Sequence, residues 1–433
     1  MTAAELSLER VDRAIAAVDR ELAGIVDAVL HHERFQALEA AWRGLAFVVG
    51  RVDFQENIEV SFWSYSKTEA EEDCADVDAT ATRFFRRVYT DEYGQHGGRP
   101  YGVILVNWSA SPAPSDIALL RRLASVAAMA HAPLMLAASP ELLRLRSFSE
   151  LQTMTHPEGA FTGPGSERWA SFRQSEDARY VGVLLPRVLL RRPYKEMTWG
   201  ASRFVYDERA TRASDYLWGS PIFALAVRAA DSFARHRSYT GMLGTVDDAP
   251  PLVDMHASLG GGSAKPPVEV VLSRRLEQSL SELGLVPIAW DSVRGTLRLT
   301  TANSVQAPRS YGSNDGGQAA TLSHLLSTRL PYLLLVCRFA HYLKVLEREH
   351  IGAHRERTDI ERQLNDWIGQ YVVVMDGASP ETRLKYPLRN ARVKVTEVPG
   401  AAGIHRMEVK IQPHLRYMRQ AFALSVDGRL EAR

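Results

Sequence analysis

From Leu8 the apolar positions fall at Leu8, Val11, Ile15, Val18, Leu22, Ile25 and Val29, alternately three and four residues apart. That is the seam of a heptad helix, narrower than the apolar face of a helix lying on a broad core. The pattern predicts a helix over 7–30 with a helical partner. Glu9, Arg10, Asp12, Arg13, Asp19, Arg20 and Glu21 fill its other faces. A helix resting on its own domain is the competing reading, because three heptads barely make a coiled coil.

After a polar hinge at His31-His32-Glu33, FQALEAAWRGLAFVV continues as helix, 58–63 reads as a strand and 67–87 as a helix. PYGVILVNW (100–108) is an apolar run of strand length, of the kind covered on both faces. A helix over 116–131 and a short apolar run at 133–138 complete a strand–helix–strand crossover, hence a parallel or mixed sheet. The Gly- and Pro-rich middle, 159–265, holds one clear helix at 215–235. A linker, SLGGGSAKPP (258–267), precedes a strand at 268–272 and a helix at 273–283. Helices over 319–349 and 359–370 follow the loop APRSYGSNDGGQ.

The C-terminal pattern has period two. After a strand at 371–375, Val393 and Val395 oppose Arg392, Lys394 and Thr396, and Met407, Val409 and Ile411 oppose Arg406, Glu408, Lys410 and Gln412. The link VPGAAGI has turn chemistry. A lone hairpin is marginal and its edges template further strands, so this one predicts completion by a neighbouring chain. The expected fold class is therefore mixed α/β: an N-terminal heptad helix, a central mixed sheet flanked by helices, and C-terminal antiparallel strands completed by neighbours. The expected units are 1–34, 35–257, 258–370 and 371–433.

Composition narrows the function. Of 433 residues 45% are hydrophobic and 24% charged, and 52 Lys+Arg against 51 Asp+Glu leave a net charge of +1. Such a chain reads as globular, with no global field to favour nucleic acid or an anionic membrane. Only seven of the basic residues are Lys, so Arg, suited to forked contacts with carboxylates, dominates. Two cysteines, Cys74 and Cys337, exclude a disulfide framework and fit a reducing compartment. The N-terminus has no signal-peptide core, and the most apolar stretch, 126–139, is interrupted by His131 and Pro133. A cytoplasmic location is expected.

Catalytic signatures are missing: no Gly-Lys dipeptide, no HExxH, no CxxC, no GxSxG and no GxGxxG opening a helix. His31 and His32 point about 100° apart on a helix and suit a junction better than a metal. Glu176 and Asp177 predict ion pairs with Arg173 and Arg179. Cys337 and His341, one turn apart, predict a core thiol, and the GSNDGG loop a solvated turn. No catalytic, cofactor-binding or metal residue is expected.

Several segments, in order, resemble one family: FQALEAAWRGL, GGRPYGVILVNW, ASVAAMAHAPLMLAASP, FRQSEDARYVGVLLPRVLLRRPY, DYLWGSPIFALA, PVEVVLSRRLEQSLSELGLVPI, RLPYLLLVCRFAHYLKVLEREHIG and LNDWIGQYV. The resemblance is to the large subunit of the type VI secretion contractile sheath, the TssC/VipB family, from about Ala14 to the C-terminus. It implies a structural protein that pairs with a small sheath subunit (TssB/VipA), polymerises around an Hcp tube on a baseplate, and contracts. Neighbours in such sheaths exchange strands at a C-terminal sheet, and an AAA+ unfoldase (ClpV) recycles them. The implied sites are the heptad seam for the small subunit and Val393, Val395, Met407, Val409 and Ile411 for the inter-subunit sheet. Family members usually carry several tens of residues ahead of the heptad helix, including an arm and an unfoldase-recognition segment. Their absence here predicts that the small subunit supplies those contacts, or that recycling is altered. A phage-tail-like sheath is the nearest alternative, and an α/β-hydrolase-like enzyme a remote one.

Overall fold

The computed structural model describes residues 8–75, 78–95, 97–198, 204–243, 251–252, 258–260, 263–349, 357–375, 378–397, 405–414 and 424–429. The chain is mixed α/β. Helix α1 (Leu8–Leu30) ends at the hinge, where His32 caps α2 (Glu33–Val49) by accepting from the Arg34 N–H. Residues 58–63 form no strand, for they have no neighbour to pair with among the described residues. The helix expected over 67–87 breaks after α3 (Lys67–Asp73). The Asp73 carboxylate accepts from the N–H groups of Arg83 (2.9 Å) and Phe84 (3.2 Å), and the Thr82 hydroxyl from that of Phe85 (3.0 Å). These side chains compete with the helical ladder and start a new turn, Arg83–Phe85, that widens into π-type winding over Arg86–Gly94.

The crossover is present. Strand β1 (Ile104–Ala110), helix α4 (Pro114–Met129) and strand β2 (Leu134–Ala138) form a parallel unit, to which β3 (Val181–Leu185) adds. After helices α5 (Ile222–His236) and α6 (Arg274–Glu282), strand β4 (Leu285–Pro287) pairs parallel with β3, giving the order β1-β2-β3-β4. The chain beyond 258 thus returns to the same sheet. Strands β2, β3 and β4 are buried throughout, whereas β1, expected to be covered on both faces, is half-exposed. Both β1 and β4 are margin strands with one neighbour each, so the difference lies in how far the rest of the chain covers their faces.

Alternate strand residues feed two cores. Leu134, Leu136, Val181 and Val183 pack with Leu120, Leu123 and Ala127 of α4. Met135, Leu184 and Val286 pack with Phe223 and Leu225 of α5 and with Leu330, Leu333 and Leu334 of α8 (Leu330–Glu349). The helix expected over 319–349 is two, α7 (Asp315–Ser327) and α8, because Pro331 lacks an N–H and starts a helix better than it continues one. The expected linker at 258–267 holds a small hairpin, Ser258–Gly260 against Ser263–Lys265. Where strands were expected at 268–272 and 371–375, single bridges at Val268 and Val372 are found.

Helix α2 approaches α5 closely at Gly44. A Cβ there would lie 2.1 Å from the buried Phe223 ring. Gly44→Ala is expected to cost about 1–3 kcal/mol of stability, read as a lower urea midpoint; an unchanged midpoint would show that the ring can swing aside.

His131 sits at a left-handed φ of 51° with its Nδ1 3.3 Å from the Tyr180 hydroxyl, near Tyr93 and His341. Burial pulls its imidazole down to about 4. The fold therefore holds it neutral, while the unfolded chain takes up a proton below about 6.5. Its contribution is complete above pH 6.5 and is lost as pH falls toward 4, roughly 3 kcal/mol in all. The stability gap between the wild type and His131→Gln should narrow by that amount from pH 7 to pH 4. A gap independent of pH would contradict it.

The C-terminal hairpin is part of a three-stranded sheet, β5 (Leu388–Glu397), β6 (His405–Pro413) and β7 (Leu424–Arg429), all antiparallel, with β6 in the middle. One face covers a third core with Leu335, Phe339 and Leu343 of α8 and Leu364 and Ile368 of α9 (Arg357–Gly369).

Candidate assembly interface

Helix α1 is held at one end. The Asp27 carboxylate accepts from the Tyr206 hydroxyl at 2.6 Å, and His31 Nε2 lies 3.2 Å from Glu208 Oε1. Burial pushes the Tyr206 phenol up, and its bond to Asp27 adds to that. Glu208 also pairs with Arg191, whose Nε donates to Glu39 Oε1 at 2.9 Å; Arg43 bridges Glu39 (2.7 Å) and the Tyr194 hydroxyl (2.8 Å). Burial works against the charge of Arg191, but the hydrogen bond and charges of Glu208 and Glu39 outweigh it and raise its pKa. Because removing one member would leave a buried charge uncompensated, the network fixes the direction in which α1 leaves the body.

Beyond this anchor the helix is bare. Val11, Ile15, Val18, Leu22, Ile25 and Val29 are 39–61% exposed, and Val11, Ala14, Ile15 and Val18 line a shallow groove between Arg10 and Asp19. The seam is thus not covered by its own domain. Leu8 opens the helix; its side chain lies outside the described residues. Burying one such aliphatic side chain contributes roughly 1.5–3 kcal/mol, so covering the row would be strongly favourable.

Sequence reasoning missed a second stripe. On α2, Phe35, Leu38, Trp42 and Val49 are exposed and Leu45 is half-buried, again three and four apart, while Gly44 and Val48 face the core. The signal was present in FQALEAAWRGLAFVV. Trp42 meets Phe62, which with Val60 and Trp63 extends the exposed patch.

At the C-terminal sheet Val393, Val395, Met407, Val409 and Ile411 are all at most 4% exposed, packed in the chain's own third core. The outer edge of β5 is capped by α9. Asn365 Oδ1 accepts from the Val393 N–H (2.9 Å) and its Nδ2 donates to the Val393 carbonyl (2.7 Å). Glu361 Oε2 accepts from the Val395 N–H (2.9 Å), and Arg357 donates to the Val395 carbonyl (3.1 Å). The expected open hairpin is thus closed at β5 by side chains and at β6 by β7. The outer edge of β7 has no partner among the described residues.

The candidate chemical groups take structural places. Glu176 pairs with Arg179 and Arg309, while Arg173 donates instead to the carbonyls of Val305 and Glu282. Burial pushes the Cys337 thiol far up, and His341 Nε2 lies 2.9 Å from the Ala130 carbonyl oxygen. Asn314 of the GSNDGG loop caps α7. Among the described residues no group of His, Cys, Asp and Glu could hold a metal ion, and no helix is long and apolar enough to cross a membrane.

Two family models together span most of the chain: the EvpB/VC_A0108 tail sheath N-terminal domain over residues 12–306, and the tail sheath gpW/gp25-like domain over 319–430. The chain belongs to the VipB family of type VI secretion sheath large subunits. A curated VipB-family relative, the type VI secretion system sheath protein TssC1 of Pseudomonas aeruginosa PAO1, is 34% identical over 418 residues, 94% of this chain and 83% of that protein. Solved structures similar to this VipB-family chain include the baseplate of the anti-feeding prophage, 10% identical over 87% of this chain and 81% of that one, with a TM-score of 0.39. Its contracted helical sheath is 11% identical over 76% and 67%, with a TM-score of 0.32.

Proposed function

We propose that this sheath protein pairs with a small sheath subunit of the TssB/VipA kind through the α1 seam, and that the heterodimers polymerise in the cytoplasm around an Hcp tube and contract to drive it. The observation that carries the reading is the bare seam: a helix with six aliphatic side chains in a heptad row, anchored at one end and uncovered along its length. Its role is mechanical and non-catalytic, with energy stored at assembly and released as interfaces repack. Further neighbours join at the C-terminal sheet through the β7 edge, the baseplate receives one end of the polymer, and a ClpV-type unfoldase recycles it. The test is to co-express the chain with a tagged small subunit and measure stoichiometry by size exclusion with light scattering. Equal recovery of both chains supports the reading. Recovery of this chain only as a free monomer would refute it.

A further inference from the structure

The flanks of the α1 seam are one-sided in charge. With Leu8, Ile15, Leu22 and Val29 at the a positions of the heptad and Val11, Val18 and Ile25 at the d positions, the residues beside the row, at e and g, are Asp12, Ala14, Asp19, Glu21, Val26 and Ala28. Three are acids and none is a base. These positions meet a partner helix across a heptad seam and set which partner fits. The bases of the same stretch stand elsewhere: Arg13 and Arg20 are at f, opposite the row, and Arg10 is at c, one position further out than g. Arg20 donates back to the Ala16 carbonyl at 3.1 Å.

The helix does not neutralise these carboxylates itself. No Lys, Arg or His lies three or four residues from Asp12, Asp19 or Glu21, the spacings at which side chains of one helix meet. Among the described residues none of the three forms an ion pair. Asp27, at f, differs in kind, since the body uses it through Tyr206.

We propose that the α1 seam receives a helix whose own apolar row is flanked by Lys or Arg, and that a second copy of this chain is turned away from it. The three–four spacing asks for a helix, because a partner with the same spacing seats its side chains in the gaps of the row. The three carboxylates ask for cations beside that partner's row. A second copy brings acidic flanks to acidic flanks whichever way it runs, so the charge that favours one partner also rejects the other. Lysine and arginine suit the place further, as their aliphatic stems cover the margin of the apolar row while the charged ends stay in water. The proposal rests on α1 being a pairing surface and adds to that reading the chemistry of its partner.

Two synthetic heptad helices with the same Ile/Leu row, one carrying Lys and the other Glu at every e and g position, test it against the full chain by fluorescence anisotropy. The Lys-flanked peptide should bind at least about tenfold more tightly at low salt. The difference should shrink at about 1 M salt, where the screening length is about 3 Å. The variant Asp12→Lys/Asp19→Lys/Glu21→Lys changes only exposed or half-buried positions, so it should keep the wild-type melting temperature and reverse the preference. Equal binding of the two peptides, or a preference untouched by the triple variant, would overturn the charge rule while leaving the seam a pairing surface. Binding of neither peptide would overturn both. Light scattering tests the rejection of a second copy: the wild-type chain should form no dimer that Ile15→Asp/Leu22→Asp disrupts, and such a dimer would contradict the proposal.

Discussion

Replacing Ile15 and Leu22 together by Asp is expected to abolish recovery of the small sheath subunit while leaving the melting temperature of the chain itself unchanged. Both residues are exposed, 51% and 40%, so the substitution removes little packing within the chain. In the complex the two changes remove roughly 3–6 kcal/mol of apolar burial. They also bring two unpaired carboxylates to a dry seam, at several kcal/mol each. A loss of about 6 kcal/mol or more is at least four orders of magnitude in affinity. Partner recovery at wild-type stoichiometry from the double variant would show that the seam is idle in pairing. The anchor gives an internal control: Glu208→Gln leaves the seam intact but loosens the direction of α1, so it should weaken pairing less.

The second large effect is expected at Val409→Pro. Val409 lies in the middle strand, opposite Val393 on one side and Val426 on the other, and is 3% exposed. Proline there removes a ladder donor and clashes with the neighbouring strand, about 3 kcal/mol or more. The third core is small, so this unit should open, while the parallel sheet, with its separate cores, stays folded. The variant should keep its small subunit, lose the C-terminal region to limited proteolysis, and form no tubes. Tubes of normal length from it would show that the C-terminal sheet is dispensable for polymerisation.

The heptad of α1 was legible because a three–four spacing needs no tertiary information, and the same holds for the alternation in β5 and β6. What the apolar runs could not tell was how fully each strand would be covered. ILVNW at the margin and LMLAA at the centre read alike, yet only the second is buried throughout, packed in a core on each face of the sheet. The third strand, β7, was missed because its hydrophobic pattern, LSVDGR, is short and ends in turn-like residues. The anchor of α1 was hidden for another reason: Arg191 finds Glu208 and Glu39 at separations of 17 and 152 residues, and no local pattern announces such a meeting. The helix break before Pro331 and the second stripe on α2 were both written in the sequence, as an imino acid and as a spacing.

The account stands most directly on whether this chain builds a sheath. Negative-stain microscopy of the chain co-expressed with the small sheath subunit, in the presence of a chelator and without added nucleotide, measures that. The account predicts hollow tubes of uniform diameter under these conditions, since nothing among the described residues calls for a metal. Discrete heterodimers with no tubes, or tubes that appear only when metal or nucleotide is restored, would contradict it.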